Sequence, residues 1–129
     1  MPMKKMIVAM LGLILASPVY AMCRCVPPGT AKNEFNQSAA VFSGRVVTIK
    51  KAPGMTERVT FQVLKRWKGP RKRQIVLINS TDPEACGMVF KKGQKYLVYA
   101  LGESSKLRSS LCTRTAFLEL SGDDIAEFK

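Results

Sequence analysis

The stretch Arg58-Val59-Thr60-Phe61-Gln62-Val63-Leu64-Lys65-Arg66-Trp67 decides the fold class of this chain. Val59, Phe61 and Val63 alternate with Thr60 and Gln62, and a period of two puts the first set on one face of a strand and the second on the other. Gly69-Pro70 ends the run, because proline offers no donor to a ladder. Working outward, Val41 to Lys50 is rich in β-branched residues and gives way to the turn Ala52-Pro53-Gly54. Gln74 to Asn79 reads as a short, nearly continuous apolar strand, and Lys95 to Leu101 and Arg114 to Leu120 complete a set of five. Helical signals lie only at the edges. Thr30 is placed to cap a short helix through about Ala40, with Phe35 and the Ala39-Ala40 pair as its apolar face. Ser121 and Asp124, at capping-box spacing, predict a last helical turn over Asp124 to Phe128. Strands at such short spacing predict a mainly-β fold, a five-stranded closed or partly open barrel with short flanking helices. Its expected core is Val59, Phe61, Val63, Val76, Leu97, Val98 and Tyr99, with Phe42 and Phe117 packing nearby.

Length and composition narrow the function. A chain of 129 residues has room for one domain of the usual size, about 100–150 residues. Its 47% hydrophobic and 23% charged residues are those of a globular protein, with neither repeats nor a low-complexity linker. Lys and Arg number 21 against 9 acidic residues, a formal charge of +12, and histidine is absent. Without histidine there is no Ser-His-Asp or Cys-His nucleophile, no imidazole metal ligand and no His-based acid/base catalysis. The expectation is a protein that is not an enzyme and carries no cofactor.

Residues 1–21 read as a secretory signal peptide. Lys4 and Lys5 form the positive region, Met6 to Ala16 is an uncharged, mostly apolar run, and Val19-Tyr20-Ala21 suits a cleavage site. Eleven residues of helix would cover only about half of a bilayer core. Met22 before Cys23 does not fit a lipidation site. The expected product is residues 22–129, secreted or periplasmic, with no membrane span.

All four cysteines lie after that segment, and an even number in a small exported domain reads as disulfides. A Cys23–Cys25 link would close a strained ring across one residue, which leaves two connectivities. In both, the N-terminal segment is bolted to two later places, and each bridge closes a loop of about sixty residues or more, worth about 4–5 kcal/mol alone in the chain-entropy model. The competing reading is a zinc site of four thiolates. It usually shows two Cys-x-x-Cys pairs, whereas Cys86 and Cys112 stand alone.

The run Cys23-Arg24-Cys25-Val26-Pro27-Pro28 resembles the start of the mature tissue inhibitors of metalloproteinases, and the body of the chain resembles the netrin-like module to which their N-terminal domain belongs. The supporting stretches are Val41 to Val46, Val59 to Gly69, Ala85-Cys86-Gly87, Gly93 to Ala100 and Leu111 to Thr115, in order along the chain. The resemblance implies an OB-like barrel and the pairing Cys23 with Cys86 and Cys25 with Cys112. The resemblance stops short of the animal inhibitors' third bridge, for which there are no cysteines here, and of their C-terminal domain, which has no counterpart in the chain. It also implies an inhibitory ridge. The α-amine and carbonyl oxygen of Cys23 would chelate a target protease's zinc and Arg24 would enter its specificity pocket. Cys25, Val26 and Pro27 would follow along the cleft, with Glu84 and Ala85 beside them. Two departures stand out. A cut after Ala21 leaves Met22 ahead of Cys23, and Arg24 replaces the small hydroxylated residue usual in the family.

Lys65-Arg66-Trp67-Lys68-Gly69-Pro70-Arg71-Lys72-Arg73 is the densest charge feature, at a strand end and the turn after it. Lys65, Arg66, Lys68, Arg71, Lys72 and Arg73 form a candidate site for a polyanion such as an acidic polysaccharide. Trp67 either stacks on such a ligand or fills the core, and its place in the family framework favours the core. The leading expectation is therefore a secreted zinc metalloprotease inhibitor acting through Cys23 to Val26. The alternative is a non-inhibitory envelope or extracellular module that binds a protein or polyanion through the basic turn.

Overall fold

The computed structural model describes residues 23–128, so the expected signal peptide lies outside the described residues. The elements in chain order are α1 (Ala31–Gln37), β1 (Ala40–Ala52), β2 (Thr56–Lys68), β3 (Gln74–Ser80), β4 (Lys95–Glu103), β5 (Lys106–Arg108), β6 (Ala116–Phe117), a 3-10 turn at Leu118–Leu120, and α2 (Gly122–Ala126). The sheet runs β1-β2-β3-β5-β4 and closes on itself because β4 also pairs with β1, leaving β6 outside on β4. This is a closed, five-stranded, OB-like barrel.

Two long strands make the closure possible. β1 and β2 pair antiparallel, and their register slips between Val41 and Phe42, between Ser43 and Gly44, and between Val46 and Thr48. Each slip leaves one extra residue in one strand, a bulge that bends and coils the ribbon. The slips leave Trp67 and Leu64 of β2 and Val47 of β1 without direct partners. The turn after β2 needs glycine. Gly69 has φ +100, and a Cβ there would lie 2.5 Å from Ala40 Cβ.

The barrel interior holds Phe42, Val46, Val59, Phe61, Ile75, Leu77, Phe90, Tyr96, Val98 and Leu107, all buried. Phe61 sits edge-on to Phe42, Phe90 and Tyr96, with ring centroids at 5.6, 5.3 and 6.3 Å. A second cluster lies outside the barrel wall, where Val41, Leu97 and Tyr99 pack with Phe35, Trp67, Leu118, Ile125 and Phe128. Tyr96 to Ala100 are consequently buried on both faces of β4, which is why that segment reads as continuous apolar sequence rather than as alternation.

Several boundaries differ from the sequence expectation, each for a local reason. The helix capped by Thr30 stops at Gln37 because Ser38 turns extended and its hydroxyl donates to the Glu34 carbonyl at 2.6 Å. Ala40 then opens β1 inside the barrel instead of facing a helix. Val76 is not core. Ile75 opposes Phe61 and Leu77 opposes Val59, so their side chains point inward and Val76, 47% exposed, points out. The fifth barrel strand is the three-residue β5, not Arg114 to Leu120, where only Ala116–Phe117 pair before the chain coils into the 3-10 turn. Phe117 is partly exposed and stacks on Tyr96 at 5.3 Å. The last helix begins at Gly122. Ser121 makes no side-chain cap and donates instead to the Phe117 carbonyl at 2.8 Å.

Candidate functional site

Three irregular segments meet at one end of the barrel. The first is 23–30, which Pro27 and Pro28 keep out of helix and ladder. Two disulfides fix it, Cys23–Cys86 with Cα atoms 5.0 Å apart and Cys25–Cys112 with Cα atoms 5.1 Å apart. Cys23 and Cys112 sulfur atoms lie 3.9 Å from each other, so the bridges are neighbours. All four sulfurs fall within 4.8 Å, the spacing that a zinc site would also require, but each is taken up in a bridge and no cysteine is free.

The second segment is the tight turn after β3. Ser80 Oγ accepts from the Asp82 amide at 3.1 Å, Asp82 Oδ1 from the Glu84 amide at 3.0 Å, and the Asp82 carbonyl from the Ala85 amide at 3.0 Å. These bonds hold Glu84 and Ala85 exposed immediately before Cys86. Cys86 adopts the left-handed conformation with φ 56, which a non-glycine residue holds only when its surroundings over-determine it. Its bridge is one constraint. Gly87 is another, because a Cβ there would overlap the Ser80 carbonyl oxygen. The third segment, 110–113, is tied in by the Leu111 amide, which donates to the Cys86 carbonyl at 2.7 Å.

Cys23 is half-buried in this arrangement, while Arg24, Cys25, Val26 and Pro27 are exposed. The apolar members of the edge stand in solvent, Val26 at 84%, Val89 at 79% and Leu111 at 53% exposure. Beside Cys23 and Cys86 runs a groove of about 480 Å³, with Met88, Val89, Phe90 and Leu111 in its walls. Asn79 ties together two of the residues that line it, Glu57 and Met88. This buried amide donates to Glu57 Oε1 and the Met88 carbonyl, and accepts from the Met88 amide and the Ser109 hydroxyl.

Sequence reasoning missed the clasp at the far end of the N-terminal segment. Arg114 donates from Nε and Nη2 to the two carboxylate oxygens of Asp124 at 2.8 and 2.7 Å, and from Nη1 to the Gly29 carbonyl at 3.3 Å. Tyr99 Oη donates to Asp124 Oδ2 at 2.8 Å. A bidentate guanidinium pair of this kind is geometrically demanding and strong. Spacing suggests a helix cap for Asp124, whereas its carboxylate ties α2 to β4 through Tyr99 and, by way of Arg114, to the N-terminal segment. The Arg114 guanidinium holds the Asp124 carboxyl below the usual range, and burial, then the Asp124 hydrogen bond, push the Tyr99 hydroxyl above its own. A carboxyl with a lowered native pKa stabilises the fold above its unfolded value, near 3.9, and that contribution is lost as pH falls through the native value. The phenol works in the opposite direction, adding stability below about pH 10 that is lost as pH rises further. Denaturation midpoints measured from pH 2 to 7 should therefore drop on the acid side, and Asp124→Asn should flatten that limb while lowering stability at pH 7.

The cations of the basic turn differ in their surroundings. Lys68 Nζ caps the end of α1 through the Phe35 and Asn36 carbonyls at 3.0 and 3.1 Å, and Arg66 Nη1 donates to the Gly69 carbonyl at 3.3 Å. Lys65 lies over the Trp67 ring, 5.2 Å from its centroid. Trp67 itself is half-buried and packs edge-on against Phe128 at 5.3 Å. Arg71, Lys72 and Arg73 remain exposed at the turn. No protein-family model and no curated protein sequence matches the chain.

Proposed function

We propose that this protein is an exported inhibitor of a zinc metalloprotease, and that its working part is the bridged edge Cys23 to Pro27. The observation that carries the reading is the exposure of Arg24, Val26 and Pro27 on a segment bolted at Cys23 and Cys25 to two separate loops. Such a segment loses little conformational freedom on docking, so more of its contact energy appears as affinity. The α-amine and carbonyl oxygen of Cys23 would form a five-membered chelate with the protease's zinc, in place of its attacking water. An α-amine titrates near 7.7–8.0, so its neutral form is readily taken by a metal at neutral pH. Arg24 then points toward the specificity pocket and selects a protease whose pocket is deep and acidic. Glu84 and Ala85, with Val26, line the flanks. Two bridges that must stay oxidised favour a secreted or periplasmic setting.

The amine exists only if the chain starts at Cys23, since a preceding Met22 makes that nitrogen an amide with no lone pair to donate. Forms beginning at Met22 and at Cys23 should be assayed against a panel of zinc proteases. The Cys23 form is expected to inhibit and the Met22 form to fail. Arg24→Glu should weaken the inhibition, and Arg24→Thr should widen its range. Inhibition by neither form would refute the reading.

A further inference from the structure

We propose that the outer face of β1, β2, β3 and β5 binds an extended anionic polysaccharide, at a site separate from the N-terminal edge. Strand register assembles this site from residues far apart in sequence. Lys50 of β1 lies opposite Arg58 of β2, Arg58 opposite Ile78 of β3, and Ile78 opposite Arg108 of β5. They form one row across four strands, about 14 Å long at ~4.8 Å per strand, and its three cations are exposed. Further along the same face come Thr48, Thr60 and Val76, and then Arg45, Gln62 and Gln74. Arg45 in turn faces Lys95 of β4.

The charges on this face do nothing for the fold. Lys50–Arg58 and Arg45–Lys95 are like charges directly opposite each other on neighbouring strands, an arrangement that weakens a sheet. None of the acidic residues occupies these rows, and among the described residues the one ion pair is Arg114–Asp124, elsewhere. Glu57, the nearest carboxylate along β2, accepts a hydrogen bond from buried Asn79. An anionic chain laid across the rows would neutralise the repulsion and release its own counterions.

The space between the cations selects the kind of polyanion. Thr48, Thr60, Gln62 and Gln74 offer hydroxyls and amides that suit sugar hydroxyls, and the rows hold no aromatic ring on which a base would stack. Trp67, the chain's one tryptophan, is packed against Phe128. At its end the face runs into a hollow of about 150 Å³ lined by Lys72, Gln74, Val76 and Ser105, which carries the track toward the basic turn. The chemistry is that of a sulfated or uronic polysaccharide rather than a nucleic acid.

The test uses heparin fragments as probe and compares two variants of equal charge loss. Lys50→Gln/Arg58→Gln/Arg108→Gln is expected to weaken binding at least tenfold and to lower the slope of log affinity against log salt by about 2, at roughly 0.7 per contact. Its melting temperature should be unchanged or higher, because the variant removes repulsion. Lys32→Gln/Lys91→Gln/Lys92→Gln, which removes exposed cations elsewhere, should bind within about twofold of the parent. Equal loss in both variants would show attraction by net charge alone and overturn the site. Tighter binding of a single-stranded oligonucleotide of matching charge would overturn the choice of partner. The readout is independent of protease inhibition, so either proposal can fail without the other.

Discussion

Replacing Cys86 by Ser is expected to cost about 2–5 kcal/mol of folding stability, the usual effect of losing a native bridge from a small domain. The bridge closes a loop with a sequence separation of 63, and its loss also removes one of the constraints that hold position 86 in the left-handed conformation. A second consequence follows from the neighbouring sulfurs. The freed Cys23 thiolate lies 3.9 Å from the Cys112 sulfur and can attack it, forming a Cys23–Cys112 bond and releasing Cys25 as the thiolate. Peptide mapping of the variant under non-reducing conditions should find both the Cys25–Cys112 and the Cys23–Cys112 species. The parent should give Cys23–Cys86 and Cys25–Cys112 with no free thiol. Two free thiols in the native parent, or zinc bound in stoichiometric amount, would contradict this.

Phe61→Ala should cost about 3–5 kcal/mol, the range for a large aromatic side chain removed from a packed core. Phe61 has no exposure and meets three rings, Phe42, Phe90 and Tyr96. The surrounding wall is a closed sheet, so it collapses poorly into the space left. Urea denaturation should show the midpoint falling with the slope unchanged, provided that unfolding stays two-state. Val76→Ala, on the outer face of the same sheet, should change stability by about 0.5 kcal/mol or less. A comparable cost at both positions would mean that the register of β3 is shifted by one residue.

That contrast also marks what the sequence could reveal. Alternation through Val59, Phe61 and Val63 announces which face of β2 is buried, because its other face meets solvent. Gln74 to Asn79 carries apolar residues at neighbouring positions, so the pattern names a strand without naming its inner face, and only pairing with β2 turns Ile75 and Leu77 inward. Three residues of β5 are too few to show any period, and their pairing with β3 and β4 is set by barrel closure rather than by local preference. Ser121 and Asp124 have the spacing of a cap, yet the carboxylate finds a better partner in Arg114, on a segment ten residues earlier. The basic turn was conspicuous because its charges are consecutive. Lys50, Arg58 and Arg108 share a surface only through register, which no local pattern encodes.

The N-terminal edge presents the same division. Its prolines and cysteines are visible as residues, while the turn that lifts Glu84 and Ala85 beside the bridge depends on the Ser80 and Asp82 side chains bonding backbone amides. Exposed Val89 and Leu111 are far apart in sequence and share one groove with Cys23 and Cys86, while Val26 stands exposed on the bridged segment itself. Large apolar side chains in solvent around a rigid centre are what a protein partner would cover.

The most direct test of the inhibitory chemistry is Nα-acetylation of the form that begins at Cys23. Acetylation converts the amine to an amide and alters neither the barrel nor the two bridges, which circular dichroism and thiol counting would verify. If the Cys23 nitrogen is a zinc ligand, the acetylated form should lose inhibition while the untreated form retains it. Undiminished inhibition after acetylation would contradict chelation by Cys23.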